Sequence, residues 1–103
     1  MMYEKIGERF RHSKIVWQKH ALQRMMERGI TRGEVKEALL NGEIIENYPD
    51  DSPFPSMLIA WVDNKPLHVV VAFDRQCEEI YVITVYRPDL RYFETDMKTR
   101  RKR

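Results

Sequence analysis

The chain is poor in cysteine, glycine and long apolar runs, and each shortage excludes a class of protein. A single cysteine, Cys77, among 103 residues cannot form an internal disulfide, which points to the reducing cytoplasm. The longest uninterrupted apolar run, residues 57–62, is far shorter than the roughly 20 residues of a membrane helix. The polar N-terminus lacks the apolar stretch of a secretory signal. We therefore expect a cytoplasmic protein with no membrane partner.

Sequence motifs for metal and nucleotide chemistry are also missing. The three histidines and the cysteine do not follow the paired spacing of structural zinc sites. The sequence contains no glycine-rich phosphate loop, no nucleophile elbow and no His-Glu-x-x-His motif. We expect neither a metal nor an organic cofactor.

The apolar and aromatic residues that are present suffice for one small core. Hydrophobic residues make up 43% of the sequence and charged residues 33%, which is typical of a folded domain with a heavily solvated surface. A chain of 103 residues is too short for two independent cores. Residues 1–97 are accordingly predicted to form a single domain.

Positive charge is concentrated at the C-terminus. The last six residues contain no acidic side chain and five basic ones, namely Lys98, Arg100, Arg101, Lys102 and Arg103. Without them, 13 of the 18 basic residues face 16 acidic residues, so the rest of the chain is weakly acidic. Residues 98–103 are predicted to be a basic tail. It is either simply solvated or an anchor for nucleic acid or an acidic partner.

Two helices are predicted in the first half of the chain. Apolar residues between positions 19 and 28 fall on one broad helical face, and Gly29 follows as the expected C-terminal cap. Thr31 and Glu34 have the spacing of a capping box that begins a second helix. The side chains predicted to be mostly buried, in these helices and in the strands that follow, are Leu22, Met26, Val35, Leu39, Val69, Val71 and Val82.

The second half of the chain has the pattern of a β-sheet. Three prolines between residues 49 and 55 exclude a helix or a central strand there. Three strand-like runs follow, at residues 57–62, 67–73 and 79–86, and the short connections between them require antiparallel pairing. Adding residues 43–48, we predict an α+β fold in which two helices pack on an antiparallel sheet of three to four strands.

One polar stripe on the first predicted helix contains His20, Arg24 and Arg28 at intervals of four residues. Guanidinium groups one turn apart suit a phosphodiester, because each presents a planar fork of donors. A histidine beside them could transfer a proton near neutral pH. The same three residues could also be ordinary surface charges that pair with nearby carboxylates.

A second group of polar residues lies on the predicted strands. His68 falls within an apolar run, while Thr84, Tyr86 and Arg87 lie at the end of the last strand. A histidine in an apolar strand is either a hydrogen-bonded core residue or part of a site. Thr84 and Tyr86 share one face of the sheet because strand side chains alternate.

Whether His68 joins that face depends on the register of the last hairpin. If Phe73 pairs with Ile80, regular pairing places His68 opposite Val85 and directs it away from Thr84. A slip of one residue reverses this arrangement, and both registers remain open.

The order of these motifs resembles a bacterial family known as domain of unknown function 4258. The segments that carry the resemblance are His20-Ala21-x-x-Arg24-Met25-x-x-Arg28-Gly29-Ile30-Thr31, Glu34-Val35, Gly42-Glu43-Ile44-Ile45, Tyr48-Pro49-x-Asp51, Pro55-Ser56, Leu67-His68-Val69-Val70 and Ile83-Thr84-Val85-Tyr86-x-Pro88-Asp89. The resemblance covers roughly residues 15–90. The chain departs from the pattern at Gln18, where such sequences often carry serine or threonine, so the cap of the first helix is less secure.

The resemblance implies a fold similar to RelE-type toxins and related small endoribonucleases, with helices on one side of a curved antiparallel sheet. It also implies that His20, Arg24, His68 and Thr84 face one cleft. The family itself is uncharacterised, so no activity follows from membership.

These observations lead to the hypothesis of a metal-independent endoribonuclease of toxin type, which cleaves RNA by attack of the 2′-hydroxyl and is restrained by an antitoxin protein. The reaction needs a base, an acid and cations around the phosphate. The residues proposed for these tasks are His20 and His68 as base and acid, Arg24, Arg28 and Arg87 for the phosphate, and Thr84 and Tyr86 to orient it or stack a base.

The alternative is a non-catalytic module with the same fold that binds protein or nucleic acid. Catalysis requires His20 and His68 to converge on one substrate, whereas binding does not. The relative placement of the two histidines therefore separates the two hypotheses.

Overall fold

The computed structural model describes residues 4–5, 10, 12–62 and 65–102, with residues 4–5 as backbone only. The helices are α1 (Lys19–Arg28) and α2 (Arg32–Asn41). The strands are β1 (Glu4–Lys5), β2 (Lys14–Trp17), β3 (Glu43–Tyr48), β4 (Ser56–Trp61), β5 (Leu67–Asp74) and β6 (Glu79–Tyr86). Neither helix is long and apolar enough to cross a membrane, as far as the described residues extend.

The strands form one mixed sheet in the order β1-β3-β4-β5-β6-β2. Strands β3 to β6 form the antiparallel meander that the sequence predicts, and the α+β class is confirmed. The predicted count of three to four strands is too low, because β1 and β2 occupy the two edges. Strand β2 also pairs with β6 in parallel. A four-residue strand whose partner lies more than 60 residues later leaves no local sequence signal of its pairing.

The two helix boundaries follow the predicted local chemistry. Gly29 adopts the left-handed conformation, with φ of 65°, and its backbone N–H reaches the carbonyls that end α1. The Thr31 hydroxyl accepts a hydrogen bond from the Glu34 backbone N–H at 3.1 Å, so this half of the capping box is confirmed. The Glu34 carboxylate binds Arg87 instead of returning to Thr31. Gln18, at the start of α1, makes no side-chain cap hydrogen bond.

The hydrophobic core fills the space between the helices and one face of the sheet. Five of the seven predicted core residues, Val35, Leu39, Val69, Val71 and Val82, are fully or almost fully buried. Each contributes on the order of 1.5–3 kcal/mol through apolar burial.

The prediction that Met26 is buried is wrong, because its side chain is 85% exposed, and Leu22 is only partly buried. In the short helix α1, Ala21 and Met25 are buried in the core, and the partly buried Leu22 packs against it. Met26 follows Met25 by about 100° around the helix axis, which is enough to turn its side chain into solvent.

A β-bulge in the last hairpin settles the register that the sequence leaves open. Phe73 does pair with Ile80, but the register shifts so that Val71 opposes Val82 while Val70 opposes Thr84. The extra residue is Ile83, and beyond it the alternation of β6 is reversed.

Because of the bulge, His68 lies opposite Tyr86 and not Val85. Val69 and Val71, its neighbours on β5, belong to the core beneath the helices. His68, Thr84 and Tyr86 therefore share the opposite face, which we call the outer face of the sheet.

The C-terminal segment crosses this outer face. We call residues 90–101 the C-terminal strap. It folds back on itself through a bridge between Phe93 and Arg100 and a backbone hydrogen bond from Arg101 N–H to the Tyr92 carbonyl at 2.8 Å. Phe93 is 2% exposed and its ring meets the His68 ring edge-on at 4.6 Å. The strap thus covers the part of the sheet around His68.

Candidate nucleic-acid interface

A basic pocket of about 500 Å³ opens at the C-terminal end of β6, between α1 and the C-terminal strap. We call it the basic pocket. Its lining residues are Arg28, Tyr86, Arg87, Pro88, Asp89, Tyr92, Phe93 and Arg100.

The pocket exists because β2 ends early. Strand β2 pairs only with Glu79–Val82, the first half of β6. Within the described residues, no strand covers the second half on that side. The Arg28 guanidinium reaches this open edge and donates a hydrogen bond to the Val85 carbonyl at 2.5 Å. The last turn of α1 is thereby held beside Tyr86.

Two of the three pocket arginines are bound to carboxylates. Arg87 pairs with Glu34 of α2 and also donates to the Pro66 carbonyl at 3.4 Å. Arg100 makes two hydrogen bonds with Glu46, at 2.8 and 3.0 Å, which is the bidentate geometry of a strong ion pair. These bonds fix both guanidinium groups at the pocket wall.

Arg28 differs from the other two arginines. No carboxylate among the described residues forms a salt bridge with it. The one acidic lining residue, Asp89, binds Arg91, whose hydrogen bonds lower the pKa of the Asp89 carboxyl. Among the lining guanidinium groups, Arg28 is thus the one whose charge no carboxylate of the described residues offsets, and its charge favours an anion in the pocket.

Aromatic rings form the remaining wall of the basic pocket. Tyr86 is half-buried, Phe93 is buried and Tyr92 is 43% exposed. An exposed ring beside guanidinium groups is the combination that binds nucleotides, since bases stack on rings while phosphates bind the cations.

Behind the pocket, His68 is held as a neutral, fully buried side chain with 0% exposure. Its Nε2 lies 2.7 Å from the Met97 carbonyl, and its Nδ1 lies 3.1 Å from the Tyr86 hydroxyl. A carbonyl only accepts, so Nε2 carries the proton and Nδ1 accepts from Tyr86. Burial lowers the pKa of His68, which keeps the ring uncharged.

Tyr86 connects this histidine to the charged residues of the outer face. Burial raises the pKa of the Tyr86 hydroxyl, and the adjacent Arg100 guanidinium partly opposes the rise. Arg100 in turn lowers the pKa of the Glu46 carboxyl through their hydrogen bonds. Glu46 also accepts a hydrogen bond from Tyr48. The network keeps Tyr86 protonated, Glu46 ionised and Arg100 in place.

The structure brings only part of the predicted site together. His68, Tyr86 and the half-buried Thr84 share the outer face. His20 and Arg24 are exposed on α1, which packs on the other side of the sheet, and Arg24 binds Glu27 at 3.2 Å. His20 is exposed on α1, whereas His68 is buried beneath the strap, and neither lines the basic pocket. The arrangement does not give them a common cleft.

The predicted phosphate ligands divide in a similar way. Arg28 and Arg87 meet in the basic pocket, where Arg100 of the predicted tail joins them, while Arg24 does not line it. Lys98 pairs with Glu43 of β3, which holds this part of the predicted tail against the sheet.

The other residues of the predicted tail differ in their contacts. Arg101 pairs with Glu94 at 3.1 Å. Lys102 is exposed, and Arg103 lies outside the described residues. A role of the tail in binding nucleic acid remains a prediction.

Sequence reasoning missed the aromatic wall of the pocket, formed by Tyr92 and Phe93, and the role of Glu46 in positioning Arg100. A signal was present in the run Arg91-Tyr92-Phe93, where a cation precedes two rings. The fold-back of the strap, which aims these rings at β6, has no counterpart in local sequence pattern.

One group of possible metal ligands occurs in the part of the chain that the structure describes. Asp74, Cys77 and Glu79, in the turn between β5 and β6, each bring one ligand atom within 4.8 Å of the others. A hydrogen bond with Asp74 raises the pKa of the Cys77 thiol, and the cysteine is exposed.

A family model matches the chain, whereas no curated protein and no solved structure does. The family model described as a domain of unknown function, DUF4258, matches residues 17–87, which is more than half of the chain and includes both helices and strands β3 to β6. The chain therefore belongs to the DUF4258 family.

Proposed function

We propose that the protein binds single-stranded RNA and that the basic pocket holds one of its phosphates. The observation that carries the proposal is the set of three arginines around the pocket, of which Arg28 has no salt-bridge partner in the described residues. A phosphate there would receive charge-assisted hydrogen bonds from Arg28 without competing with a bound carboxylate.

The aromatic rings favour a single strand over a duplex. Sequence-tolerant stacking on Tyr92 and Tyr86 requires bases that are unpaired and splayed away from their neighbours. A duplex presents its phosphates on a convex surface, whereas these rings lie inside a concave pocket.

A kinship with RelE-type toxins, as part of the proposal, favours RNA over other phosphate ligands. Two helices on one face of a sheet fit that layout, although a shared fold does not by itself establish activity. An antitoxin partner and a cytoplasmic location belong to the same proposal.

Binding without cleavage is the function we favour. Transesterification through the 2′-hydroxyl needs an accessible base and acid beside the phosphate. His68 is fully buried with both ring nitrogens hydrogen-bonded, and His20 lies on the helix side of the sheet. Among the residues that line the basic pocket there is no histidine.

The proposal is tested with a fluorescently labelled single-stranded RNA octamer and fluorescence anisotropy at low salt. We expect Arg28→Gln to weaken binding about tenfold, or about 1.4 kcal/mol. The slope of log affinity against log salt should fall by about 0.7. The matched control is Arg24→Gln, which makes the same charge change one helical turn away, outside the pocket. It should bind within about twofold of the wild type, because Arg24 does not line the pocket and is already paired with Glu27.

Two outcomes would overturn the proposal. Equal losses in the two variants would assign binding to the whole polar stripe of α1 and not to the pocket. Cleavage of the RNA by wild-type protein in the presence of a chelator, lost in both His20→Ala and His68→Ala, would restore the endoribonuclease hypothesis.

A further inference from the structure

A second concavity, of about 380 Å³, lies on the same outer face of the sheet, nearer the start of β6. We call it the base slot. It is bounded by Phe54 from the proline-rich loop, Tyr81 and Ile83 from β6, and Gln18 from the start of α1. None of these four residues lines the basic pocket.

The base slot has a flat aromatic wall. The rings of Phe54 and Tyr81 are stacked, with centroids 5.7 Å apart and planes that differ by 4°. Both side chains are only partly buried, so a further ring can extend the stack. Stacking on such a wall does not depend on which base is bound, because every base has a π face.

The rim of the base slot carries acceptors instead of cations. Asp51 lines it and is held by a hydrogen bond from Ser56, which is 4% exposed. That bond engages Asp51 Oδ2 and does not use the other carboxylate oxygen. Gln18 adds a carboxamide that is not engaged in capping α1. A negative rim repels phosphate but accepts hydrogen bonds from an amino group.

We propose that the base slot binds a nucleobase with an exocyclic amino group, from the same RNA strand whose phosphate occupies the basic pocket. This inference rests on the proposed function and adds base selectivity to it. Carboxylates accept from the amino group of cytosine, and side-chain amides pair with adenine. Uracil has a carbonyl where cytosine has its amino group, so it offers Asp51 no donor at that position.

The β-bulge is what places the two sites on one surface. Tyr81 and Tyr86 are five residues apart, and in a regular strand they would face opposite sides of the sheet. The extra residue Ile83 reverses the alternation, so both tyrosines face outward. Their partners on β5, Ala72 and His68, are four residues apart, so at the rise of a strand the two tyrosines lie about 13 Å apart, which a few unstacked nucleotides can cover. Thr84, half-buried on the same face, lies between them.

The decisive comparison uses octacytidylate and octauridylate. At each base, cytosine has an amino group where uracil has a carbonyl oxygen. We expect wild-type protein to bind octacytidylate about tenfold more tightly in fluorescence anisotropy, as one charge-assisted hydrogen bond allows. In Asp51→Asn the preference should fall below threefold, because the neutral amide accepts more weakly and can itself donate to uracil.

Two variants test the stacking wall and the rim without disturbing the core. Phe54→Leu should weaken binding of both octamers about tenfold, within the range for one stacked base. Gln18→Ala should weaken octacytidylate by about threefold. Its matched control is Gln23→Ala, which removes an exposed carboxamide from the same helix outside both sites and should change nothing. Thermal unfolding of each variant verifies that it is folded.

The two proposals fail in different ways. If Arg28→Gln weakens binding while Phe54→Leu and Gln18→Ala bind as the wild type does, the base slot is wrong and the basic pocket stands. Equal affinity of wild-type protein for both octamers would likewise remove the selectivity of the slot. If wild-type protein binds neither octamer, both proposals are wrong.

Discussion

At His68 the fold selects one protonation state and one tautomer. The ring has 0% exposure, donates from Nε2 to the Met97 carbonyl and accepts at Nδ1 from Tyr86. Phe93 closes the remaining side of the ring. A histidine so enclosed joins the sheet to the C-terminal strap, and its burial lowers its pKa and so favours the neutral form.

The first prediction concerns the pH dependence of stability. Burial lowers the pKa of His68 from its ordinary value of 6.5, so the unfolded chain binds this proton more readily. The stabilisation is therefore complete above about pH 6.5 and is lost as the pH falls through the lower, folded pKa. In urea unfolding between about pH 7.5 and 5.5, the wild type should lose more stability than His68→Gln. The extra loss should not exceed about 1.4 kcal/mol per pH unit.

His20→Gln is the control, because it makes the same substitution at an exposed histidine on α1. The carboxyl groups of Glu46 and Asp96, whose pKa values are lowered by hydrogen bonds, lose their stabilisation only at more acidic pH. Identical pH dependence in the wild type and His68→Gln would contradict the neutral, buried assignment.

The second prediction compares two tyrosines on β6. Tyr86→Phe leaves the buried Nδ1 of His68 without its donor, so we expect a loss of about 1–3 kcal/mol in the free energy of unfolding. Tyr81→Phe removes a hydroxyl that binds Glu79, near the surface, and should cost less than about 0.5 kcal/mol. Urea unfolding at neutral pH measures both. Similar losses would mean that the hydrogen bond to His68 contributes little.

At the scale of elements, the residues near a helix end predict where the helix begins and ends. They do not predict which strands pair when those strands are far apart in the sequence. The capping pair Thr31 and Glu34, the left-handed Gly29 and the meander could all be predicted, because each depends on neighbouring residues. The bulge at Ile83 could not, because no turn or glycine signal in the sequence of β6 marks where its pairing with β5 shifts. Since the bulge decides which face His68 occupies, the candidate site was less predictable than the fold.

The third prediction uses two glycines at either end of α2. A Cβ at Gly33 would meet only the Thr31 hydroxyl oxygen, at 3.7 Å, so Gly33→Ala should stabilise the protein by roughly 0.5 kcal/mol through helix propensity. A Cβ at Gly42 would lie 2.4 Å from the Ala38 carbonyl oxygen and 2.9 Å from that of Ala60. Gly42→Ala should therefore destabilise by about 2 kcal/mol or more.

Thermal and urea unfolding of the two glycine variants measure the effect under the same conditions. An unchanged or raised stability of Gly42→Ala would show that α2 and β4 are not packed as closely as described. A destabilised Gly33→Ala would indicate that the first turn of α2 is not helical in solution.

At the scale of the whole molecule, the C-terminal strap is part of the domain. Besides the contact of Met97 with His68, Lys98 and Arg100 bind Glu43 and Glu46 of β3. The predicted boundary at residue 97 was placed from charge alone. It divides a segment whose residues contact the sheet on both sides of the boundary. Charge alone does not reveal that the basic residues of this segment pair with Glu43 and Glu46, some 50 positions earlier on β3.

The fourth prediction concerns truncation. Removing residues 97–103 takes away the acceptor of the His68 Nε2–H, and we expect the free energy of unfolding to fall by about 1–3 kcal/mol. Removing residues 102–103 alone should leave stability unchanged, since Lys102 is exposed. Urea unfolding compares the two proteins. Equal stability of the two truncated proteins would mean that the whole segment is a solvated tail.

The shorter truncation also tests the tail as a nucleic-acid anchor. It should lower the salt slope of RNA binding by at most about 0.7 for each charge removed. A loss of affinity larger than that of Arg28→Gln would place the main phosphate contact in the tail.

The basic pocket has two sources within one chain. Arg28, Tyr86 and Arg87 lie inside the segment that the family model matches, whereas Tyr92, Phe93 and Arg100 follow its end at residue 87. The matched segment thus supplies one side of the pocket, and the stretch that follows it supplies the facing aromatic wall. Exchanging the residues after position 87 would therefore leave Arg28, Tyr86 and Arg87 in place and change only that wall.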